Sequence, residues 1–160
     1  MKELKISTTF KIYEQLSELP SAVFSLMQQA IKARNNAYSP YSKFNVGAAI
    51  LLDNGEVVIG SNQENAAYPS GLCAERVAIF QAGALYPNAK IKAIAITATS
   101  QAKKVVEPIP PCGACRQSMA EYEMRQNEGI ELYFMGEEGA IMKSDSLADI
   151  LPLMFEKSHL

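Results

Sequence analysis

The chain has 160 residues, 48% of them hydrophobic, and its 15 basic and 17 acidic side chains give a formal net charge of −2. This length predicts one globular domain over residues 1–160, and the charge lacks the basic excess of nucleic-acid-binding proteins. No apolar run reaches the roughly 18 to 20 residues of a membrane-spanning helix, and three cysteines are too few for a disulfide-rich secreted scaffold, so we expect a cytoplasmic protein.

The first half of the chain predicts a helix followed by a β-hairpin. Residues 1–19 carry no clear pattern and are interpreted as an N-terminal extension of uncertain structure. From Pro20 onward, apolar residues recur at helical spacing as far as residue 38, which predicts a core helix with proline at its start. The pair Asn54-Gly55 separates two apolar runs, which is a strong signal for a hairpin of two antiparallel strands.

The second half of the chain alternates helices and strands. Helices are predicted over residues 73–84 and 113–127, strands over 91–99 and 130–135, a short strand at 140–144 and a small helix around Leu147. This order predicts an α/β fold, a three-layer α/β/α sandwich with a mixed sheet of about five strands.

Three cysteines and a glutamate stand at the starts of the second and third predicted helices. In "SGLCAER", Cys73 precedes Glu75 by two residues, and in "PPCGACRQ", Cys112 and Cys115 are three residues apart. That spacing brings the latter two sulfurs onto one helix face, where the helix start favours thiolates. The pair alone is compatible with a thioredoxin-like redox site, a structural zinc site or part of a catalytic metal site.

The number of available ligands bears on these alternatives. A structural zinc site needs four protein ligands, whereas the lone histidine, His159, is next to the last residue and is interpreted as solvent-exposed. A redox pair would leave Cys73 and Glu75 without a role. Three ligands and a water match a catalytic zinc site, with Glu75 moving the protons of that water and Arg76 offsetting the excess thiolate charge. A redox protein and a zinc-stabilised binding module stay open as alternatives.

Four segments extend this interpretation to a family. "FNVGAAI", "NQENAAYPSGLCAER", "PCGACRQ" and "LPLMF" occur in the order and spacing of the small free-nucleoside cytidine deaminases, which the chain resembles except in its N-terminal extension. The resemblance implies one Zn²⁺ per chain on Cys73, Cys112 and Cys115, with Glu75 as the catalytic proton carrier. It also implies a hydrolase of pyrimidine salvage, which converts cytidine and deoxycytidine to uridine and deoxyuridine and releases ammonia.

The same resemblance implies the substrate contacts. Asn62 and Glu64 hydrogen-bond the ribose, chiefly at its 3′-hydroxyl, and Phe44 packs on the base. Ala74 offers its backbone N–H to the base, and Pro111 offers its carbonyl to the amino group. Because a carboxylate beside the 3′-hydroxyl would repel a phosphate, we expect a free nucleoside as substrate and no nucleic-acid partner.

The segment "DILPLMF" at residues 149–155 is strongly apolar, although chain ends are usually polar. Composition alone leaves burial within the subunit and burial at an interface open. The resemblance implies a homotetramer in which Phe155 completes the site of a neighbouring subunit and Tyr68 takes part in the same contact.

Overall fold

The computed structural model describes residues 1–160, in which six strands form one mixed sheet. The strands are β1 (Lys11–Tyr13), β2 (Phe44–Leu52), β3 (Val57–Ser61), β4 (Ile91–Ser100), β5 (Glu131–Met135) and β6 (Ile141–Ser144). Their order across the sheet is β1-β6-β5-β4-β2-β3. Only β4 and β5 run parallel, and every other neighbouring pair is antiparallel.

Four helices accompany the sheet: α1 (Ser21–Arg34), α2 (Ala74–Leu85), α3 (Gly113–Gln126) and α4 (Leu147–Ile150). Helix α3 joins the parallel strands β4 and β5, because a parallel pair cannot be closed by a tight turn. None of the helices combines the length and the apolar character needed to cross a lipid bilayer.

Both faces of the central strands are buried. On β4, Ile94 and Ile96 belong to a core cluster shared with α2, α3 and α4, whereas Ala93 and Ala95 belong to a second cluster shared with α1. This alternation follows from the two-residue period of a strand, and it explains why β4 is apolar at nearly every position. The predicted three-layer α/β/α sandwich is confirmed.

Two glycines let the helices approach the sheet closely. A Cβ on Gly47 would collide with the carbonyl oxygen of Ala30 in α1, and a Cβ on Gly60 would collide with the carbonyl oxygen of Ala74 in α2. The backbone of α2 therefore rests directly on β3, and this contact fixes the position of the first residues of α2.

The sixth strand comes from the N-terminal extension. β1 pairs antiparallel with β6, and Lys11 forms an ion pair with Asp145 at 2.9 Å. Tyr13 and Leu16 then pack against the core cluster on the α1 face, and Leu19 is part of it. The sheet thus has one strand more than the approximate count that the sequence predicted, because a three-residue strand held by distant partners leaves no local pattern.

Candidate active site

The three cysteines lie at the N-termini of α2 and α3. Cys73 is the N-cap residue of α2, Cys112 is the N-cap residue of α3, and Cys115 lies in the first turn of α3. The C-terminal parts of β3 and β4, which precede these helices, lie at the same end of the sheet. Gly47 of β2, the strand between them, pairs with Ser61 of β3 on one side and with Thr97 of β4 on the other. The topology therefore brings together cysteines that are 39 residues apart in sequence.

The sulfur atoms of these cysteines fit a zinc ion. The Sγ atoms of Cys73 and Cys112 are 3.9 Å apart, those of Cys112 and Cys115 are 3.5 Å apart, and all three lie within 4.8 Å of one another. Tetrahedral zinc with Zn–S bonds of about 2.3 Å separates its sulfur ligands by about 3.8 Å. All three are free thiols, so each can serve as a ligand.

The thiol of Cys73 ionises more readily than that of an ordinary cysteine. The pKa of Cys73 is lowered to about 5, chiefly by its hydrogen bond with Cys115 and, against the effect of burial, also by Cys112 and Arg76. The same hydrogen bond and burial raise the pKa of Cys115, so a second thiolate is disfavoured. A bound metal ion would remove the repulsion between neighbouring thiolates, because metal coordination deprotonates a thiol outright.

Glu75, the second residue of α2, is buried, with 5% of its surface exposed. Burial raises the pKa of its carboxyl group, and the neighbouring charge of Cys73 adds to this effect. A carboxyl group that holds its proton more readily than usual is suited to both accepting and donating a proton.

Arg76 brings a positive charge to the cysteine cluster. Its Nη2 atom donates to the carbonyl of Gly71 at 3.4 Å, whereas its buried Nε atom has no hydrogen-bond partner. Although burial opposes it, interaction with the Cys73 sulfur raises the pKa of Arg76. This placement supports the predicted role of Arg76 in offsetting thiolate charge.

A cleft of about 490 Å³ opens beside Cys73. Asn62, Glu64 and Tyr68 line it, together with Arg76. Its volume lies within the range of about 300 to 1,000 Å³ that is usual for small-molecule sites. The predicted ribose-binding residues Asn62 and Glu64 therefore lie in the same cleft as Cys73.

Glu64 is fixed at the rim of the cleft. Its Oε2 atom accepts hydrogen bonds from the backbone N–H groups of Tyr41 at 2.9 Å and Ser42 at 3.2 Å. The hydrogen bond of the Ser42 side chain is the largest cause that lowers the pKa of Glu64. Because each carboxylate oxygen can accept more than one hydrogen bond, Glu64 can still accept one from a hydroxyl donor.

Asn62 has a structural role that the sequence did not indicate. Its Oδ1 atom accepts from the backbone N–H of Val46 at 2.7 Å, and its Nδ2 atom donates to the carbonyl of Phe44 at 2.9 Å. The amide thus continues the β2–β3 pairing beyond the end of β3 and keeps one N–H for a ligand. An asparagine directly after a strand is the only sequence signal for this arrangement.

The other predicted contacts lie around the cleft rather than on its lining. Phe44 is half-buried at the start of β2, and Ala74 is completely buried as the first residue of α2, where its N–H has no acceptor within the helix. Pro111 is buried, and its carbonyl accepts a hydrogen bond from Nε of Arg116 at 2.8 Å. Sequence reasoning did not assign Arg116 any role.

The two aromatic residues predicted to contribute to a site shared between subunits are exposed. Tyr68 is 75% exposed and its ring centroid lies 5.9 Å from that of Tyr41. Phe155 is 59% exposed, stacks on the exposed ring of His159 and is held at its carbonyl by Nε2 of Gln117 at 2.9 Å. Of the apolar segment 149–155, Ile150 is buried within its own subunit, whereas Leu153 and Phe155 are exposed.

The fold and the site together define a three-layer α/β/α protein with three cysteines that can hold a metal ion and a buried carboxyl group beside them. The chain matches the profile described as the cytidine and deoxycytidylate deaminase zinc-binding region over residues 21–127. It is 40% identical over 138 residues to a cytidine deaminase of Sporosarcina psychrophila, an alignment that covers 86% of this chain and 94% of the relative.

Two further proteins are similar over much of the chain. A cytidine deaminase of Halalkalibacterium halodurans is 49% identical over 96 residues, which cover 60% of this chain and 68% of the relative. The crystal structure of a cytidine deaminase from Burkholderia pseudomallei has a TM-score of 0.70 at 38% identity, covering 82% of this chain and 97% of that chain. The chain belongs to the cytidine and deoxycytidylate deaminase family, and its cofactor is zinc.

Proposed function

We propose that the chain is a single-domain, zinc-dependent cytidine deaminase that hydrolyses cytidine and deoxycytidine to uridine and deoxyuridine with release of ammonia. The observation that carries this proposal is the convergence of three cysteine sulfurs and the buried Glu75 beside a cleft of nucleoside size. The cytidine deaminases to which the chain is similar support the same reaction.

Cys73, Cys112 and Cys115 hold one zinc ion per chain. When bound, zinc supplies a Lewis acid that makes a water molecule a better nucleophile at neutral pH. Arg76 stabilises the thiolates, and without it their charge would weaken this effect.

Glu75 moves the protons of the reaction. The oxygen of water adds to C4 of the pyrimidine, and Glu75 accepts the proton that water loses and passes it to N3. Glu75 then carries the second proton to the amino group, the C4–N bond breaks and ammonia leaves. Water thus provides both protons, and the carboxyl group returns to its starting state.

The cleft orients the nucleoside. Glu64 accepts a hydrogen bond from the 3′-hydroxyl, and Asn62 donates its remaining N–H to the ribose. The N–H of Ala74 and the carbonyl of Pro111 bind the edge of the base, with Phe44 packed against its face. These roles rest on the family resemblance together with the positions of the side chains.

The direct test is a deamination assay with a parallel zinc determination. Purified protein should contain one zinc per chain and consume both cytidine and deoxycytidine, since both carry the 3′-hydroxyl.

Cytidine 3′-phosphate and single-stranded DNA should react at least about 100-fold more slowly than cytidine, because Glu64 repels a phosphate at the 3′ position. Glu64→Gln should reduce the difference in rate between cytidine and cytidine 3′-phosphate. Glu137→Gln changes a half-buried glutamate outside the cleft and should leave this difference unchanged. Efficient deamination of an oligonucleotide by the wild type would contradict the specificity.

We further propose that the active unit is a cytoplasmic homotetramer in which Phe155 reaches the site of a neighbouring subunit. The exposure of Phe155, together with Tyr68 at the rim of the cleft, supports this proposal. A reducing compartment agrees with three free cysteines.

Phe155→Ala should raise KM for cytidine roughly 10-fold without reducing zinc content, because an aromatic side chain in an interface pocket carries much of its binding energy. Leu153→Ala, at an exposed apolar residue of the same segment, is the matched control and should leave KM unchanged. Light scattering measures the assembly. A fully active monomer at assay concentration would exclude both the tetramer and the shared role of Phe155.

A further inference from the structure

We propose that Arg116 is a positioning residue that ties the C-terminal segment to the loop carrying Cys112, and that it thereby holds both this zinc ligand and the Pro111 carbonyl in place. The effect on catalysis rests on the proposed deaminase function. The effect on the metal centre does not.

The side chain of Arg116 bridges two segments that are distant in sequence. Its Nε atom donates to the carbonyl of Pro111 at 2.8 Å, and its Nη1 atom donates to the carbonyl of Ile150 at 2.7 Å. Hydrogen bonds from a charged donor are stronger than neutral ones. Because the guanidinium group is planar and rigid, the two bonds together fix the distance and orientation between their acceptors.

The location of this charge is otherwise unfavourable. Arg116 lies in the fourth position of α3, near the positive end of the helix dipole, where a cation is disfavoured. No carboxylate forms an ion pair with it. The two carbonyl acceptors are therefore what holds the guanidinium group against the N-terminus of the helix.

The bond to Pro111 acts on the metal centre through a single peptide unit. The carbonyl of Pro111 belongs to the peptide that continues into Cys112, so fixing its plane also fixes the backbone of this ligand. Cys115 is completely buried and held by the core, whereas Cys112 is exposed and depends on its loop for its position. A carbonyl oxygen has two acceptor sites, so Arg116 leaves one of them for the amino group of the substrate.

The hydrogen bond from Arg116 to the Ile150 carbonyl attaches the C-terminal segment to the first turn of α3. Ile150 is buried at the end of α4, and the next residue of α3, Gln117, holds the carbonyl of Phe155 at 2.9 Å. Two successive side chains of α3 thus fix the segment that places Phe155. The turn that carries the zinc ligands is also the turn that anchors the C-terminal segment.

The test compares Arg116→Lys and Arg116→Gln with Arg125→Gln, a control on the same helix whose exposed guanidinium lies over the Tyr122 ring. The holoprotein is mixed with a chromogenic chelator to measure the rate of zinc release, and kcat, KM and Tm are determined in parallel. Both Arg116 variants should release zinc about 10-fold faster or more, as expected when a residue that orients a metal ligand is lost. Their kcat should fall about 10-fold with a smaller change in KM, because the group lost acts on orientation rather than on substrate binding.

The lysine variant separates positioning from charge. A lysine keeps the positive charge and most of the stem, but its single ammonium group cannot reproduce the rigid fork of two donors. If Arg116→Lys has wild-type zinc release and kcat, the positioning role is wrong and only the charge matters. Zinc release that is unchanged in both variants while Tm falls would also overturn the proposal, as would faster release in Arg125→Gln.

The two proposals fail in distinguishable ways. A wild-type protein that binds zinc but does not deaminate cytidine refutes the proposed function, and zinc release then still decides the role of Arg116. An active wild type whose Arg116 variants match it in zinc release and kcat refutes only the role of Arg116.

Discussion

Glu75→Gln should remove nearly all cytidine hydrolysis while zinc content and fold are retained. The amide has almost the same shape as the carboxyl group, but it cannot accept a proton and return it. The loss of general acid–base catalysis costs about 100- to 10,000-fold in rate. The decrease of cytidine absorbance in the ultraviolet measures turnover, and elemental analysis measures zinc.

Two further variants sharpen this result. Glu75→Asp keeps an ionisable group at a greater distance from the substrate, so its rate should lie between those of the wild type and Glu75→Gln. Glu121→Gln removes an exposed glutamate on α3 and should leave the rate unchanged. Turnover near the wild-type rate in Glu75→Gln would assign proton transfer to another group and would refute the proposed role of Glu75.

The second large effect is expected at the three cysteines that we propose as zinc ligands. Replacing Cys73, Cys112 or Cys115 by Ala should abolish activity and weaken zinc binding by more than about 100-fold, because even residues that only orient a ligand contribute 10- to 100-fold. No other cysteine is present to replace a lost ligand, and the lone histidine, His159, stacks on Phe155 in the C-terminal segment. Zinc bound per chain after dialysis against a weak chelator measures the loss.

The three cysteine variants should differ in the stability of their metal-free forms. Cys115 is completely buried in the core, so its truncation also leaves a small cavity and lowers Tm. Cys112 is exposed, so metal-free Cys112→Ala should unfold at the same temperature as the metal-free wild type. Ser118→Ala, on the same helix, serves as a control that keeps zinc. Full zinc occupancy in all three cysteine variants would refute the assignment of the ligands.

Much of the fold could be predicted because its signals are local. Gly55 has a φ of 86° in the hairpin turn, a conformation that glycine adopts without strain, so the pair Asn54-Gly55 located β2 and β3 correctly. Helices predicted over 73–84 and 113–127 are found at Ala74–Leu85 and Gly113–Gln126. The strand β1 was missed because its pairing with β6 and the contact of Lys11 with Asp145 depend on residues more than 100 positions away.

The candidate site was likewise predictable only where its signals are local. The convergence of the cysteines followed from spacing, helix starts and the resemblance to a known family. The bonds that support them did not, because no pattern tells where a long side chain such as Arg116 folds back or which backbone groups the amide of Asn62 will meet. Both residues act through geometry that exists only after distant strands and helices have assembled.

The close contact between Gly60 and α2 divides the site into parts that engineering can and cannot change. Any side chain at position 60 would lift α2 from the sheet and move Cys73 and Glu75 with it. Asn65 and Tyr68, in contrast, are exposed residues of the loop that lines the cleft. A library intended to alter the nucleoside accepted by the enzyme should therefore randomise these two positions and keep position 60 as glycine in every clone.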